Sequence, residues 1–358
     1  MPLSLVFSMP SSVRKLLRSR LIEASAPCRV DSGGTWDIKA LALPMEEHDP
    51  VTINIALDLR TRVTLTPFED GRVKVSSEGF ARGEEYPHES LPFDSPFGLF
   101  FAAVSHFGFH GLQVHLKSDS PLKAALGGSS TALVALLKAL SKIAVLSGKK
   151  GLSAAEILHL GYHLEDSVST GKCGIQDQAA AVFGGVNLWR WRFGDRRTPY
   201  RRESLAGRES RKEISQRILV AFSGKSHVSS RINRAWIKDF LSGKTRGGWI
   251  EANRMVVGLG EAIKSRRWDE AADHLKAEMT IRRKITPDAL IPLTEKLIAQ
   301  AEERGCGARF AGAGAGGSVW ALGEVDGIND LRSLWETTLE PIRGASVLKC
   351  VVDPVGVR

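Results

Sequence analysis

Residues 121–132 read Pro121-Leu122-Lys123-Ala124-Ala125-Leu126-Gly127-Gly128-Ser129-Ser130-Thr131-Ala132, and residues 131–146 continue with apolar side chains at helical spacing up to Gly148. A loop of glycine and serine that feeds a helix start leaves backbone amides unpaired and presents the positive end of the helix dipole. Together these bind phosphate. An ordinary serine-capped helix after a flexible turn uses the same residue types, so the stretch alone leaves both readings open. No Lys-Ser or Lys-Thr pair closes the loop, which sets it apart from the Walker type.

Working outward, residues 51–59 and 62–66 are rich in β-branched side chains, and Glu69, Asp70 and Gly71 supply a turn before residues 72–76, so an antiparallel sheet is predicted. Residues 78–98 are polar with several Gly and Pro and read as a loop, followed by a helix over 96–107 and a strand over 112–116. Ser153 and Glu156 form a capping box for a helix reaching residue 168, with Ile157, Leu160, Leu164 and Val168 at core spacing. Further strands are predicted at 186–193, 217–223, 318–322 and 346–352, and helices at 229–241, 248–265, 268–283, 288–304 and 327–340. No regular βαβ rhythm runs through this order, so the fold class is α+β.

Composition narrows the function. With 358 residues, 43% hydrophobic and 25% charged, the chain can bury a large core as one domain or two closely joined ones. Apolar runs such as residues 132–137 fall short of the roughly 20 residues a membrane span needs, so a soluble protein without a membrane partner is expected. Residues 1–20 carry Arg14, Lys15, Arg18 and Arg20 and read as a loose extension, because residues 3–7 are too short for a secretory core. Cys28, Cys173, Cys306 and Cys350 are widely spaced, which argues against a zinc site or disulfide framework and fits a cytoplasmic location. The net charge of +9 favours an anionic partner, and nucleotide, phosphorylated sugar and nucleic acid all qualify. The basic stretch over residues 190–212 reads as a solvated loop or hairpin rather than a nucleic-acid surface.

Three segments in register carry a family resemblance. Residues 121–132 resemble the PxxxGLGxSSxA phosphate loop of the GHMP kinases, with Ala125 in place of the usual first glycine. Ala26, Pro27 and Arg29 with Gly33, Gly34 and Asp37 are similar to that family's first motif, APxRxxxxGGxxD, although Arg29 and Asp37 stand eight apart where sugar kinases show nine. The glycine-rich segment 307–318 resembles the third motif. The resemblance implies a two-lobed fold, with a ribosomal-protein-like N-terminal lobe over residues 21–190 and a ferredoxin-like C-terminal lobe over 191–358.

The same resemblance assigns roles. Residues 172–178, with Phe183, Gly184, Gly185 and Asn187, are similar to the QDQxAAxFGGxN segment of heptose-phosphate and fucose kinases, which makes Asp177 the catalytic base with Arg29 beside it. From its residues alone, Asp177 is equally a hydrogen-bonded structural acid in a small loop. Leu126, Gly127, Gly128, Ser129, Ser130 and Thr131 are implied to hold ATP. Glu165 and Ser130 are implied to hold Mg²⁺, which prefers a few hard oxygen ligands; a solvated Glu165 is the alternative. Asp37, Gly34, Gly174, Ser229, Arg282 and Gly314 are implied to bind the acceptor.

Residues 223–232 look like the TGxSRxSSxI segment of D-glycero-D-manno-heptose 7-phosphate kinases, with His227 in place of arginine. Residues 279–285 share that family's basic run, while the first motif leans toward fucokinase-like enzymes. Both resemblances imply phosphorylation of an anomeric hydroxyl on a sugar or sugar phosphate, by a monomer or homodimer. A non-catalytic sugar and nucleotide sensor on the same scaffold is the competing expectation.

Overall fold

The computed structural model describes residues 10–226 and 229–358, with the side chains of residues 10–12 and 229–231 left out. Among the described residues the strands form two sheets, one of seven strands and one of four. The first is organised by a single strand, Val51–Pro67, where the sequence predicted two. Its first seven residues are buried, because that half is covered on both faces, while its second half alternates. It pairs antiparallel with Ile22–Ser32, with Leu112–Ser118 near one end and with Val186–Trp191 near the other.

The pairing with Ile22–Ser32 slips between Pro27 and Cys28. Proline has no N–H to give to the ladder, so a bulge is where a strand tolerates it. The slip falls just ahead of Arg29. The Gly128–Leu146 helix packs on this sheet with Leu133, Leu136, Leu137 and Leu140 fully buried. Among the described residues it is the one helix long and apolar enough to cross a bilayer, and most of it is buried inside the fold. The next helix, Ala154–Val168, starts on the predicted capping box: the Glu156 amide donates to Ser153 Oγ at 3.2 Å, and the Ser153 amide to Glu156 Oε2 at 2.7 Å.

The second sheet is antiparallel throughout, in the order Ser346–Leu348, Ile218–Phe222, Ser318–Leu322, Gly307–Phe310. Trp268–Ile285, Pro292–Glu303 and Val325–Leu339 pack against it. Segregated helices and largely antiparallel sheets make this an α+β chain.

Four expectations need correction. Residues 10–19 are no loose extension but a helix, Pro10–Ser19, with Val13 and Leu17 buried one turn apart in the first core. Part of the 78–98 loop is the strand Glu84–Pro87, which pairs with Arg72–Ser77. Asp177, expected in a small loop, lies in the helix Gln176–Phe183. The first sheet also runs past the lobe limit expected at residue 190: Tyr200–Ser204 pairs with Val186–Trp191, so the basic stretch takes its hairpin alternative, with Trp189 and Trp191 facing the core. Arg190 and Arg192 of that hairpin pair with Asp49.

The C-terminal segment returns to the first sheet through Arg60, which is 3% exposed. Its guanidinium donates to Asp353 Oδ2 at 2.5 Å, to the carbonyls of Ser25, Val355 and Gly356, and to Ser25 Oγ. Removing one partner of such a buried pair strands the other. Arg60→Met is expected to lower unfolding free energy by about 3 kcal/mol in urea titrations. A loss within the error of the titration would show that the clamp adds nothing to stability.

Candidate active site

Lys123, Ala125 and Gly127 hold the 121–127 loop with φ of 57°, 62° and 76°. A left-handed alanine costs about 1 kcal/mol, which explains why glycine is usual at this position. Here the glycines opposite make room: a Cβ on Gly317 would lie 2.6 Å from that of Ala125. Gly127 is the N-cap of the Gly128–Leu146 helix and no side chain caps that end. Gly128 and Ser129 are exposed. Uncapped amides therefore open onto a cavity of about 590 Å³.

Asp177 sits in the first turn of Gln176–Phe183 and closes on that loop. A Cβ on Gly127 would lie 3.3 Å from its carboxylate. Arg29, nearly fully buried, donates through Nε to Asp177 Oδ1 at 2.8 Å and through Nη1 to the Ala125 carbonyl at 2.8 Å. Its Nη2 stands 2.7 Å from the same Asp177 oxygen. One arginine thus ties the predicted base to the predicted phosphate loop. Burial opposes the Arg29 charge, but Asp177 and Asp31 outweigh it and hold the guanidinium above its ordinary pKa.

Asp37 reaches the same cavity despite the shortened spacing. The turn is closed by Gly33 and by Thr35 at φ 95°, a conformation that a β-branched residue rarely adopts and that clusters at functional sites. Asp37 Oδ1 accepts from the Thr35 amide at 2.9 Å and Oδ2 from the Gln176 amide at 3.0 Å. Burial, with Asp177 and Asp31 adding repulsion, raises its pKa to about 6 against those two amides. Gly174 allows the approach, since a Cβ there would overlap Asp37 Oδ2 at 1.9 Å.

Glu165 faces the helix start. Ser129 Oγ donates to its Oε1 at 3.1 Å, Gln178 Nε2 to its Oε2 at 2.7 Å, and the Ser130 hydroxyl also bonds it. Burial, and secondarily Asp177, pushes its pKa up to about 7. A carboxylate flanked by two hydroxyls, with its charge disfavoured by its surroundings, fits a hard divalent cation, which would relieve that cost.

Other predicted residues lie elsewhere. Thr131 turns inward, with Oγ1 donating to the Gly127 carbonyl at 2.8 Å, and does not line the cavity. Arg282 is fully buried in a cage of Trp236, Trp249 and Phe310, gives one hydrogen bond to the Gly34 carbonyl, and burial lowers its pKa to about 9. It supports the first motif from behind instead of facing a substrate. Gly34 and Gly314 are packing positions: a Cβ would meet Asp31 Oδ2 at 2.2 Å and the Ala289 carbonyl at 2.3 Å, respectively. Ser229 begins the helix Ser229–Leu241, its side chain outside the described residues, as is all of His227. Sequence reasoning missed Asp31 behind Arg29, Gln178 beside Glu165, and the apolar end of the cavity at Phe80, Phe97 and Leu122. Phenylalanines inside the otherwise polar 78–98 stretch were the available signal.

The chain is similar to several known proteins. Residues 98–185 match the profile of the GHMP kinases N terminal domain. Over 177 residues the chain is 31% identical to D-glycero-alpha-D-manno-heptose 7-phosphate kinase of Campylobacter jejuni, a match covering 47% of this chain and only 50% of that protein. A mevalonate kinase of Pyrococcus horikoshii is 23% identical over 334 residues, covering 85% of this chain and 89% of that one. Among solved structures, Lactococcus lactis galactokinase complexed with galactose superposes with a TM-score of 0.71 at 17% identity, covering 97% of this chain and 99% of that one. A D-glycero-D-manno-heptose 1-phosphate kinase of Bacteroides thetaiotaomicron gives 0.68 at 17% identity, covering 94% and 98%. The chain carries a GHMP kinase N-terminal domain and, through nearly its whole length, has the GHMP kinase fold.

The Glu165 shift has a measurable sign. A folded pKa near 7, above the ordinary 4.5, means that stability present below the unfolded value is lost as pH rises through about 7. Glu165→Gln is therefore expected to raise the melting temperature of the ligand-free protein at pH 8 and leave it nearly unchanged at pH 5. An equal shift at both pH values would contradict the assignment.

Proposed function

We propose that the protein is an ATP-dependent kinase that phosphorylates a hydroxyl, by preference the anomeric one, of a sugar or sugar phosphate. The observation that supports this most is the Asp177 carboxylate held by Arg29 against the uncapped helix start, in one cavity with Asp37. Phosphoryl transfer asks a protein mainly to position reactants and neutralise charge. The amides of Gly128, Ser129 and Ser130 take the nucleotide phosphates, and the apolar end at Phe80, Phe97 and Leu122 takes its base. Asp37 accepts hydrogen bonds from acceptor hydroxyls. Asp177 receives the proton of the attacking hydroxyl as the new P–O bond forms and the bond to the ADP oxygen breaks. Glu165 and Ser130 are the residues that would hold Mg²⁺, whose part is to neutralise phosphate charge.

Asp177→Asn is expected to lower kcat by about 10²–10⁴-fold with nucleotide binding retained, measured as ADP release over an acceptor panel. Tight nucleotide and sugar binding by the unaltered protein with no turnover on any acceptor would favour a sensor instead.

The acceptor side has its own signature. Arg29, Lys123 and Lys172 are the cations lining the cavity among the described residues; Arg29 is committed to Asp177, while Arg283 pairs with Glu295 and Glu302 outside it. Lys172, two residues from Gly174 and now donating to Thr170 Oγ1, is the cation assigned to a phosphate on the acceptor. Lys172→Met is expected to raise KM for a phosphorylated acceptor by about tenfold, a loss of the size of one charge-assisted hydrogen bond. KM for its unphosphorylated counterpart should stay level. Equal effects on both acceptors would point to a neutral sugar as the substrate, in line with the galactokinase likeness.

A further inference from the structure

Arg29 spends Nε and Nη2 on Asp177, so its orientation is decided by what holds Nη1. That nitrogen donates to the Ala125 carbonyl and lies 3.5 Å from Asp31 Oδ1. Asp31, 1% exposed, lies on the first-sheet strand Ile22–Ser32, but its remaining side-chain partners come from in and beside the second sheet. Its Oδ2 accepts from Arg309 Nη1 at 2.8 Å and its Oδ1 from the Gly312 amide at 2.7 Å. Its backbone carbonyl accepts from Arg309 Nη1 at 2.5 Å and from Trp320 Nε1 at 3.0 Å. Arg309 Nε stands 3.8 Å from Glu278, whose carboxylate receives the Ser32 hydroxyl and, at 3.2 Å, the Gly33 amide.

Side chains of alternating sign therefore run from Glu278 through Arg309, Asp31 and Arg29 to Asp177, from the second sheet to the mouth of the cavity. All but Asp177 are almost completely buried. Buried ion pairs are poor sources of stability, because desolvation cancels most of their attraction, and apolar residues of similar volume often do as well. What such a chain does supply is direction. Glu278 and Asp31 draw the neighbouring guanidinium groups by charge, at 3.8 and 3.5 Å, and Arg309 bonds both the backbone and the side chain of the strand residue two positions after Arg29. Arg309 and Asp31 do not line the cavity, so neither touches a ligand there.

We infer that Arg309 and Asp31 are positioning residues for phosphoryl transfer, acting through Arg29 to aim the Asp177 carboxylate. The inference rests on the kinase reading. Burial favours a neutral Asp31, but Arg309, Arg29 and the Gly312 amide outweigh it and hold its pKa below the ordinary carboxylate value, in keeping with a charge that both arginines need.

The test is a mutant cycle on the full chain with Asp31→Asn, which keeps the shape and a carbonyl acceptor but removes the charge. Asp31→Asn alone is expected to lower kcat by about 10²-fold, the scale of a small misplacement of catalytic groups, with KM for ATP nearly unchanged. In an Arg29→Lys background, where the fork that Asp31 orients is already gone, it should cost less than about threefold further, because residues acting as a unit are not additive. The same factor in both backgrounds, or a kcat loss that follows the loss of folded protein in thermal melts, would overturn the inference. Should Asp31→Asn not fold, Arg309→Lys, which retains a cation without the fork, enters the same cycle; failure of both to fold would make the chain a stability element and refute the positioning role. Absence of turnover in the unaltered protein would instead remove the kinase reading, and the inference with it.

Discussion

The site depends on one contact, the buried Arg29 guanidinium bridging Asp177 and the carbonyl of Ala125. It brings a carboxylate carried by one helix against the amino end of another, where Gly127 has no side chain to interfere. Local features serve that contact. Pro27 marks the bulge just before Arg29, the left-handed Ala125 aims its carbonyl at the guanidinium, and Gly317 leaves space for the alanine methyl. Such an arrangement would suit the proposed phosphoryl transfer, whose catalysis is mostly placement.

Electrostatics gives the site its character. Asp37, Glu165 and Asp177 all face one cavity, and burial raises the pKa of the first two to about 6 and about 7. Burial acts on each of these separately, and Asp177 adds to both. The ligand-free site thus carries an electrostatic cost that bound cations and hydroxyl donors would offset. Such a surplus of acid beside uncapped amides favours a ligand that brings negative phosphates and positive counter-charge together, and disfavours a bare anion.

Much of this was legible in the sequence because it was local. The loop before the Gly128–Leu146 helix, the Ser153–Glu156 capping box and the helix Ser229–Leu241 follow from spacing and capping chemistry. The resemblance to GHMP kinase motifs brought Arg29, Asp37, Glu165 and Asp177 together before geometry did. What escaped was long-range. Arg282 looked like a phosphate ligand beside Arg283 and Lys284, but only tertiary packing reveals the tryptophan cage that buries it. Asp31 and Arg309 lie 278 positions apart, and no periodicity links them. The Pro10–Ser19 helix was hidden by its charge, although Val13 and Leu17 already stood one turn apart.

In the proposed reaction a nucleotide's phosphates would lie on the amides that begin the Gly128–Leu146 helix, facing Asp177. A crystal structure of the protein with a non-hydrolysable ATP analogue and magnesium measures that directly. The expected result is a triphosphate lying along Gly127, Gly128, Ser129 and Ser130 with its terminal phosphate turned toward the Asp177 carboxylate. A triphosphate bound anywhere else, with those amides left to solvent, would contradict it.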